Sequence, residues 1–175
     1  MTIAGQEEII VLMDDARIRR TLRRISYEII EQNYNRESVR FVGLNNRGFQ
    51  TANLIKDFVE KAGLKTEKVF QIDVNKSFES QQDCIPDFSN CNVILIDDVI
   101  FSGKTMLKAL GYILKNGDPD NIQIAVLVDR GHRVYPVQPS FIGLHYPTKL
   151  KEHVKVEFGS DVSAMRVILH SDYGN

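Results

Sequence analysis

Tryptophan is missing from the chain, and cysteine nearly so: Cys84 and Cys91 stand with six residues between them and no histidine close to either. That spacing fits no zinc site, redox motif or disulfide framework, so ordinary cytosolic thiols are expected. His132, His145, His153 and His170 include no pair at metal-ligand spacing, and no dedicated metal cluster is expected. Excess charge is lacking too. Twenty-two basic residues face 23 acidic ones, a formal net charge of -1, so attraction to nucleic acid or membrane would need a local patch. No apolar run approaches the ~20 residues of a membrane-spanning helix; "IIVLM" near the start is far too short, and acids flank it where a signal peptide carries bases. A soluble, cytoplasmic protein is expected. Repeats, low-complexity tracts and linkers are absent as well, and 175 residues at 43% hydrophobic suit a single domain over 1–175.

What is present is an alternation of strand and helix patterns. "DDARIRRTLRRISYEIIEQN" (14–33) places Ile18, Leu22, Ile25 and Ile29 at helical spacing, with Asp14 or Asp15 as N-cap. "VRFVGLNNRG" (39–48) is a short apolar run ending in a turn, and "FQTANLIKDFVEKAG" (49–63) has helical periodicity closed by Gly63. "KVFQIDVN" (68–75) predicts a strand, and the aperiodic, polar 76–90 a surface loop. "VILIDDV" (93–99) predicts a buried strand, 105–117 a helix with Met106, Leu110, Ile113 and Leu114 on one side, and "IQIAVLVDRG" (122–131) another buried strand. "FIGLHY" and "VKVEF" predict further short strands. Uninterrupted aliphatic strands alternating with helices imply an α/β fold, a parallel sheet with helices on both faces.

In such sheets ligands bind beyond the carboxyl ends of the strands. Three polar turns fall there: "GLNNRG", "DDVIFSGKT" and "DRGHR". "SGKT" opens a helix, so its N–H groups, the helix dipole and the hydroxyls of Ser102 and Thr105 converge as a phosphate site. It is not a nucleotide-binding P-loop, because the glycine that motif needs five residues before the Gly-Lys pair is Asp98 here. Two adjacent carboxylates, Asp97 and Asp98, suit instead a ribose, whose hydroxyls they accept from and whose cationic character they favour as its C1 bond breaks. A sugar phosphate satisfies both halves of the stretch.

"VILIDDVIFSGKT" (93–105) resembles the phosphoribosyl-pyrophosphate (PRPP) signature of type I phosphoribosyltransferases: four hydrophobics, two acids, and a small-residue loop ending in Thr. "IQIAVLVDRGHR" and "ARIRRTLRRISYEII" resemble segments of one subfamily, the pyrimidine-operon attenuation regulators that double as uracil phosphoribosyltransferases. The resemblance implies a parallel core with a small hood, a flexible lid over about 75–91, and a C-terminal part contributing to the hood and base site. It assigns Asp97 and Asp98 to the ribose, as the catalytic pair. Ile100, Phe101, Ser102, Gly103, Lys104 and Thr105 take the 5′-phosphate. Asn46, Arg47 and Gly48, within the loop Asn45 to Gly48, take the pyrophosphate, and Asp129 and Arg130 flank the nucleobase. It further implies Mg²⁺ arriving with PRPP, a homodimer or homotetramer, and transfer to uracil giving UMP.

Departures from the family pattern matter. Asn45-Asn46 stand where the family carries Lys-Thr, and "KSFESQQD" replaces a longer, arginine-bearing lid, so weak turnover is expected. Arg17, Arg19, Arg20, Arg23 and Arg24 all avoid the Ile18/Leu22/Ile25/Ile29 stripe. By resemblance Arg19, Arg20, Arg23, Arg24 and Arg133 are candidate RNA contacts. The same face also fits a solvated surface with an Arg24–Glu28 pair. Alternatives to a uracil enzyme are therefore a nucleotide-sensing RNA-binding regulator with weakened catalysis, or a purine phosphoribosyltransferase.

Overall fold

Val93, Ile94, Leu95 and Ile96 are each completely buried, which requires a sheet covered on both faces. The computed structural model describes residues 8–35, 39–81, 84–149, 151–159 and 164–171. Along the chain run β1 (Glu8–Met13), α1 (Asp15–Asn33), β2 (Val39–Leu44), α2 (Asn45–Lys61), β3 (Phe70–Ile72) and β4 (Asn92–Ile100). There follow α3 (Lys104–Lys115), β5 (Asn121–Asp129), β6 (Phe141–His145), β7 (Glu152–Glu157) and β8 (Arg166–Ser171). Five strands form a parallel sheet in the order β3-β2-β4-β5-β6. The expected α/β class and parallel core are what the protein has.

Alternation along β4 divides the core. Ile94 and Ile96 pack with the buried faces of α1 and α2, whereas Val93 and Leu95 pack with Met106, Ala109 and Ile113 of α3. The α1 stripe is as expected, and Asp14 is its N-cap, accepting from the Arg17 N–H at 2.7 Å. On α3 the expected face is rotated: Ile113 is buried, but Leu114 is 59% exposed and Ala109 takes its place inward. Successive apolar residues cannot both face a sheet when each step turns the helix by ~100°, and Ile113 is the one in phase with Met106 and Ala109.

A second sheet, β1-β8-β7, is antiparallel and corresponds to the small hood. Its N-terminal strand was not expected. Ile9, Ile10 and Val11 are all substantially exposed, so β1 lacks the alternation that marks a half-buried strand. The Met165 N–H donates to Asp15 Oδ1 at 3.1 Å, tying this sheet to the start of α1. Among the described residues, no helix is long and apolar enough to cross a membrane.

The rotated face of α3 has a direct check. Ile113→Ala should cost about 2–5 kcal/mol in urea unfolding, and Leu114→Ala about 0.5 kcal/mol or less.

Candidate active site

The register of the parallel sheet brings the working residues together. Ile100 at the end of β4 pairs with Asp129 at the end of β5, and Asp97 with Val126, so both strands deliver carboxylates to one edge. Asp97 and Asp98 are 7% and 9% exposed. Asp97 Oδ1 accepts the Asp98 N–H at 2.9 Å. Burial, and then the charge of Asp98, hold the Asp97 carboxyl well above the usual range. Burial likewise raises Asp98, although Asp97, the Val99 N–H and the Arg47 guanidinium oppose it. Two carboxylates that cannot comfortably both be charged are suited to hydroxyls and cations arriving from outside.

The turn expected before α2 is part of that helix, whose first residues are Asn45 to Gly48. Gly48 is required there by proximity. A Cβ at this position would lie 2.7 Å from the Ile96 carbonyl and 3.1 Å from Asp97 Oδ1. Asn45, Asn46 and Arg47 therefore stand over the aspartates, and with Asp73, Asn75, Asp97 and Asp98 they line a cavity of about 300 Å³. Asp73 and Asn75 were not anticipated, although they follow a strand end just as the other site residues do. The two asparagines act as tethers: Asn45 Oδ1 accepts the Val74 N–H at 3.1 Å, and Asn46 Oδ1 accepts from the Gln71 amide at 3.0 Å.

Beyond β4, Gly103 adopts φ +83° as the N-cap of α3, a left-handed conformation for which glycine has no steric penalty. Gly103 has no side chain to cap the helix; the Lys104 N–H donates to Ser102 Oγ at 3.3 Å, so the loop's own hydroxyl sits at the helix start. The loop's carbonyls are engaged from the other side. Ile100 O accepts from Arg130 N, Ser102 O from Val134 N and Tyr135 N, and Phe101 O from the Arg133 guanidinium. The segment after β5 thus fixes the loop through its carbonyls.

Comparison with known proteins agrees with this geometry. A family model described as the phosphoribosyl transferase domain matches residues 12–157. The chain belongs to the phosphoribosyltransferase family. It is 38% identical over 169 residues to the "Bifunctional protein PyrR" of Brevibacillus brevis, covering 90% of this chain and 94% of that one. It is 36% identical over 157 residues to the protein of the same name from Clostridium novyi, covering 83% and 88%. In fold it is similar to an HGPRT-ase from Leishmania tarentolae solved with GMP, with a TM-score of 0.72, 14% identity, and 92% and 95% coverage.

In this phosphoribosyltransferase, Asp129 is buried, and its Oδ1 accepts from Gly131 N at 2.8 Å and from Arg133 Nη2 at 2.7 Å. Its Oδ2 faces His145 Nδ1 at 3.6 Å. Arg130, expected beside the base, stacks its guanidinium 4.3 Å over the Phe101 ring and donates to Thr148 Oγ1 and the Glu152 carbonyl. It links the β4–α3 loop to the start of β7.

The stretch expected as a lid makes many contacts of its own. Gln81 is buried and exchanges two hydrogen bonds with the Asp73 backbone, at 3.0 and 2.9 Å. Phe78 packs edge-on against Tyr112, whose hydroxyl donates to the Lys76 carbonyl at 2.9 Å. Residues 82 and 83 lie outside the described residues.

The five candidate RNA contacts divide into two sets. Arg19, Arg20 and Arg23 line a groove of about 260 Å³ with Phe58 and Lys61 of α2. Arg24 instead pairs with Glu28 at 2.5 Å and donates to the Ile142 and Gly143 carbonyls. Arg133 is drawn inward onto Asp129 and the β4–α3 loop.

Two substitutions test the site. Gly48→Ala should lower PRPP affinity about tenfold or more in calorimetry, because the Asn45–Gly48 turn must lift away from Asp97. Asp97→Asn keeps the acceptor for Asp98 N but removes a buried charge. A folded-state pKa raised above 3.8 means that wild-type stability declines as pH rises through that interval. The variant should therefore melt higher than wild type at neutral pH, and the gap should close as the pH falls toward 3.8.

Proposed function

We propose that this phosphoribosyltransferase moves the phosphoribosyl group of PRPP onto uracil, giving UMP and pyrophosphate. The observation that carries the reading is the buried Asp97–Asp98 pair, set in one cavity with Asn45, Asn46 and Arg47 and followed by the loop that opens α3. A ribose 5-phosphate with a diphosphate on C1 presents hydroxyls, a phosphate and a leaving anion in that arrangement. The carboxylates accept from the ribose hydroxyls and favour positive charge on the sugar as the bond to pyrophosphate breaks. The donors at Ser102 to Thr105 hold the 5′-phosphate, and Arg47 meets the leaving group. Uracil is preferred over purines because curated relatives at 33–38% identity are PyrR proteins, whereas the purine enzymes are related through fold alone.

Magnesium suits these residues as an ion that arrives with the substrate. Asp97 and Asp98 would hold it, directly or through water, as hard oxygen donors whose raised pKa values a nearby cation would lower. When bound it would supply positive charge to neutralise the substrate's diphosphate.

Turnover should be slow. An amide at Asn45 leaves Arg47 as the only cation among the residues lining this cavity. Loss of one charge-assisted contact of roughly 1.5–3 kcal/mol corresponds to about a ten- to hundredfold lower rate. Assay within the cytoplasm's pH range as a homodimer or homotetramer is the setting the reading implies.

A second reading is favoured by the α1–α2 groove, where Arg20, Arg23 and Lys61, with Arg19 held by Asp15, meet Asp57 beside the Phe58 ring. The enzyme would double as an RNA-binding regulator through that face.

Both readings are open to measurement. With PRPP, Mg²⁺ and radiolabelled uracil, hypoxanthine or guanine, uracil should be the base converted, at a low rate. Conversion of a purine in its place would overturn the assignment. RNA retention in gel shifts should weaken steeply with salt and be lost in Arg20→Glu/Arg23→Glu, with uracil transfer unchanged.

A further inference from the structure

Asp73 and Asn75 line the ribose cavity from a stretch that no strand ladder supports. β3 is the outermost strand of its sheet, and its pairing with β2 ends at Leu44 and Ile72. One residue further on, the backbone of Asp73 needs partners from elsewhere, or the wall it forms would open readily to water.

Gln81 supplies them. Its side-chain amide accepts the Asp73 N–H at 3.0 Å and donates to the Asp73 carbonyl at 2.9 Å, the acceptor and donor that a neighbouring strand would offer. Gln81 is 9% exposed, so both bonds are shielded from competing water. Local turns bring it back to Asp73. The Lys76 N–H donates to the Asp73 carbonyl at 3.1 Å, Ser80 Oγ to the Ser77 carbonyl at 2.8 Å, and the Gln81 N–H to the Phe78 carbonyl at 3.1 Å. α3 backs this return: the Tyr112 hydroxyl and ring hold Lys76 and Phe78, and Lys115 Nζ lies 5.1 Å over the Phe78 ring. At the cavity, Asp73 Oδ1 accepts the Asn75 N–H at 3.0 Å and the Asn75 side-chain amide at 3.2 Å, so the two lining residues move as one. Gln81 does not line the cavity and reaches it only through the backbone of Asp73.

We propose that Gln81 is a positioning residue for PRPP, holding the Asp73–Asn75 wall of the ribose cavity in its binding geometry before the substrate arrives. PRPP as the ligand rests on the phosphoribosyl-transfer reading; the preset wall does not. A wall fixed in advance serves the ground state and the transition state alike. Its loss therefore acts on PRPP binding and not on the chemical step.

Amide hydrogen exchange on the full chain, read by NMR, tests this without any substitution. In the free protein the Asp73 amide should exchange about a hundredfold or more slowly than in an unstructured chain, and PRPP with Mg²⁺ should change that rate by no more than about twofold. Exchange at the unprotected rate, slowed only once PRPP is bound, would overturn the proposal, because the wall would then form on the ligand. Gln81→Met keeps the length of the side chain and removes both bonds. It should abolish protection at Asp73 and raise the KM for PRPP about tenfold, while kcat and the KM for the base stay within about twofold. The two ideas fail separately. Protection that Gln81→Met removes, in a protein that binds no PRPP by calorimetry, would remove the phosphoribosyl reading and leave the preset wall. Transfer with an unchanged KM for PRPP in Gln81→Met would do the opposite, and where that variant is unstable the wild-type exchange rates still decide.

Discussion

Two carboxylates buried side by side at the carboxyl end of a parallel strand set the terms for their surroundings. Asp97 and Asp98 are there because β4 is central, flanked by β2 and β5 and covered on both faces, so its end is enclosed before any ligand arrives. Isolated buried charge is unfavourable, and the protein meets that cost only in part, with the Asp98 and Val99 N–H groups and the field of Arg47, so both carboxyls stay above their usual range. Gly48 follows from the same constraint, since no side chain fits where α2 begins against Asp97.

The loops around the pair are braced from opposite sides. Arg130 and Arg133 grip the β4–α3 loop through its carbonyls and the Phe101 ring, and Asp129 orients Arg133. On the other side Asn45 and Asn46 tether the start of α2 to β3 and the residues after it. The two amides fix the start of α2 without adding charge to the cavity.

Much of this was legible in the chain because the central strands are uninterrupted aliphatic runs and the helices carry clean apolar stripes. The Asp-Asp pair and Ser-Gly-Lys-Thr turn were legible because their chemistry is local. Elements whose logic is tertiary were not. β1 exposes Ile9 to Val11, so it has no alternation to read, and β8 is recognisable only by its pairing with β1 and β7. Charge alone could not separate Arg23, which lines an open groove, from Arg24 and Arg133, which donate to backbone carbonyls distant in sequence. Asp73 and Asn75 join the site only because Asn45 and Gln81 fold their segment over it.

Calorimetric titration of the protein with PRPP and Mg²⁺, in buffers of different ionisation enthalpy, bears most directly on the buried carboxylate pair. Raised pKa values in the free protein mean that a ligand carrying a cation and ribose hydroxyls must bind with release of protons below neutral pH. The heat should therefore change with buffer, and affinity should rise as pH increases toward neutrality. Binding with no proton release and no pH dependence would show that Asp97 and Asp98 are not where PRPP is held.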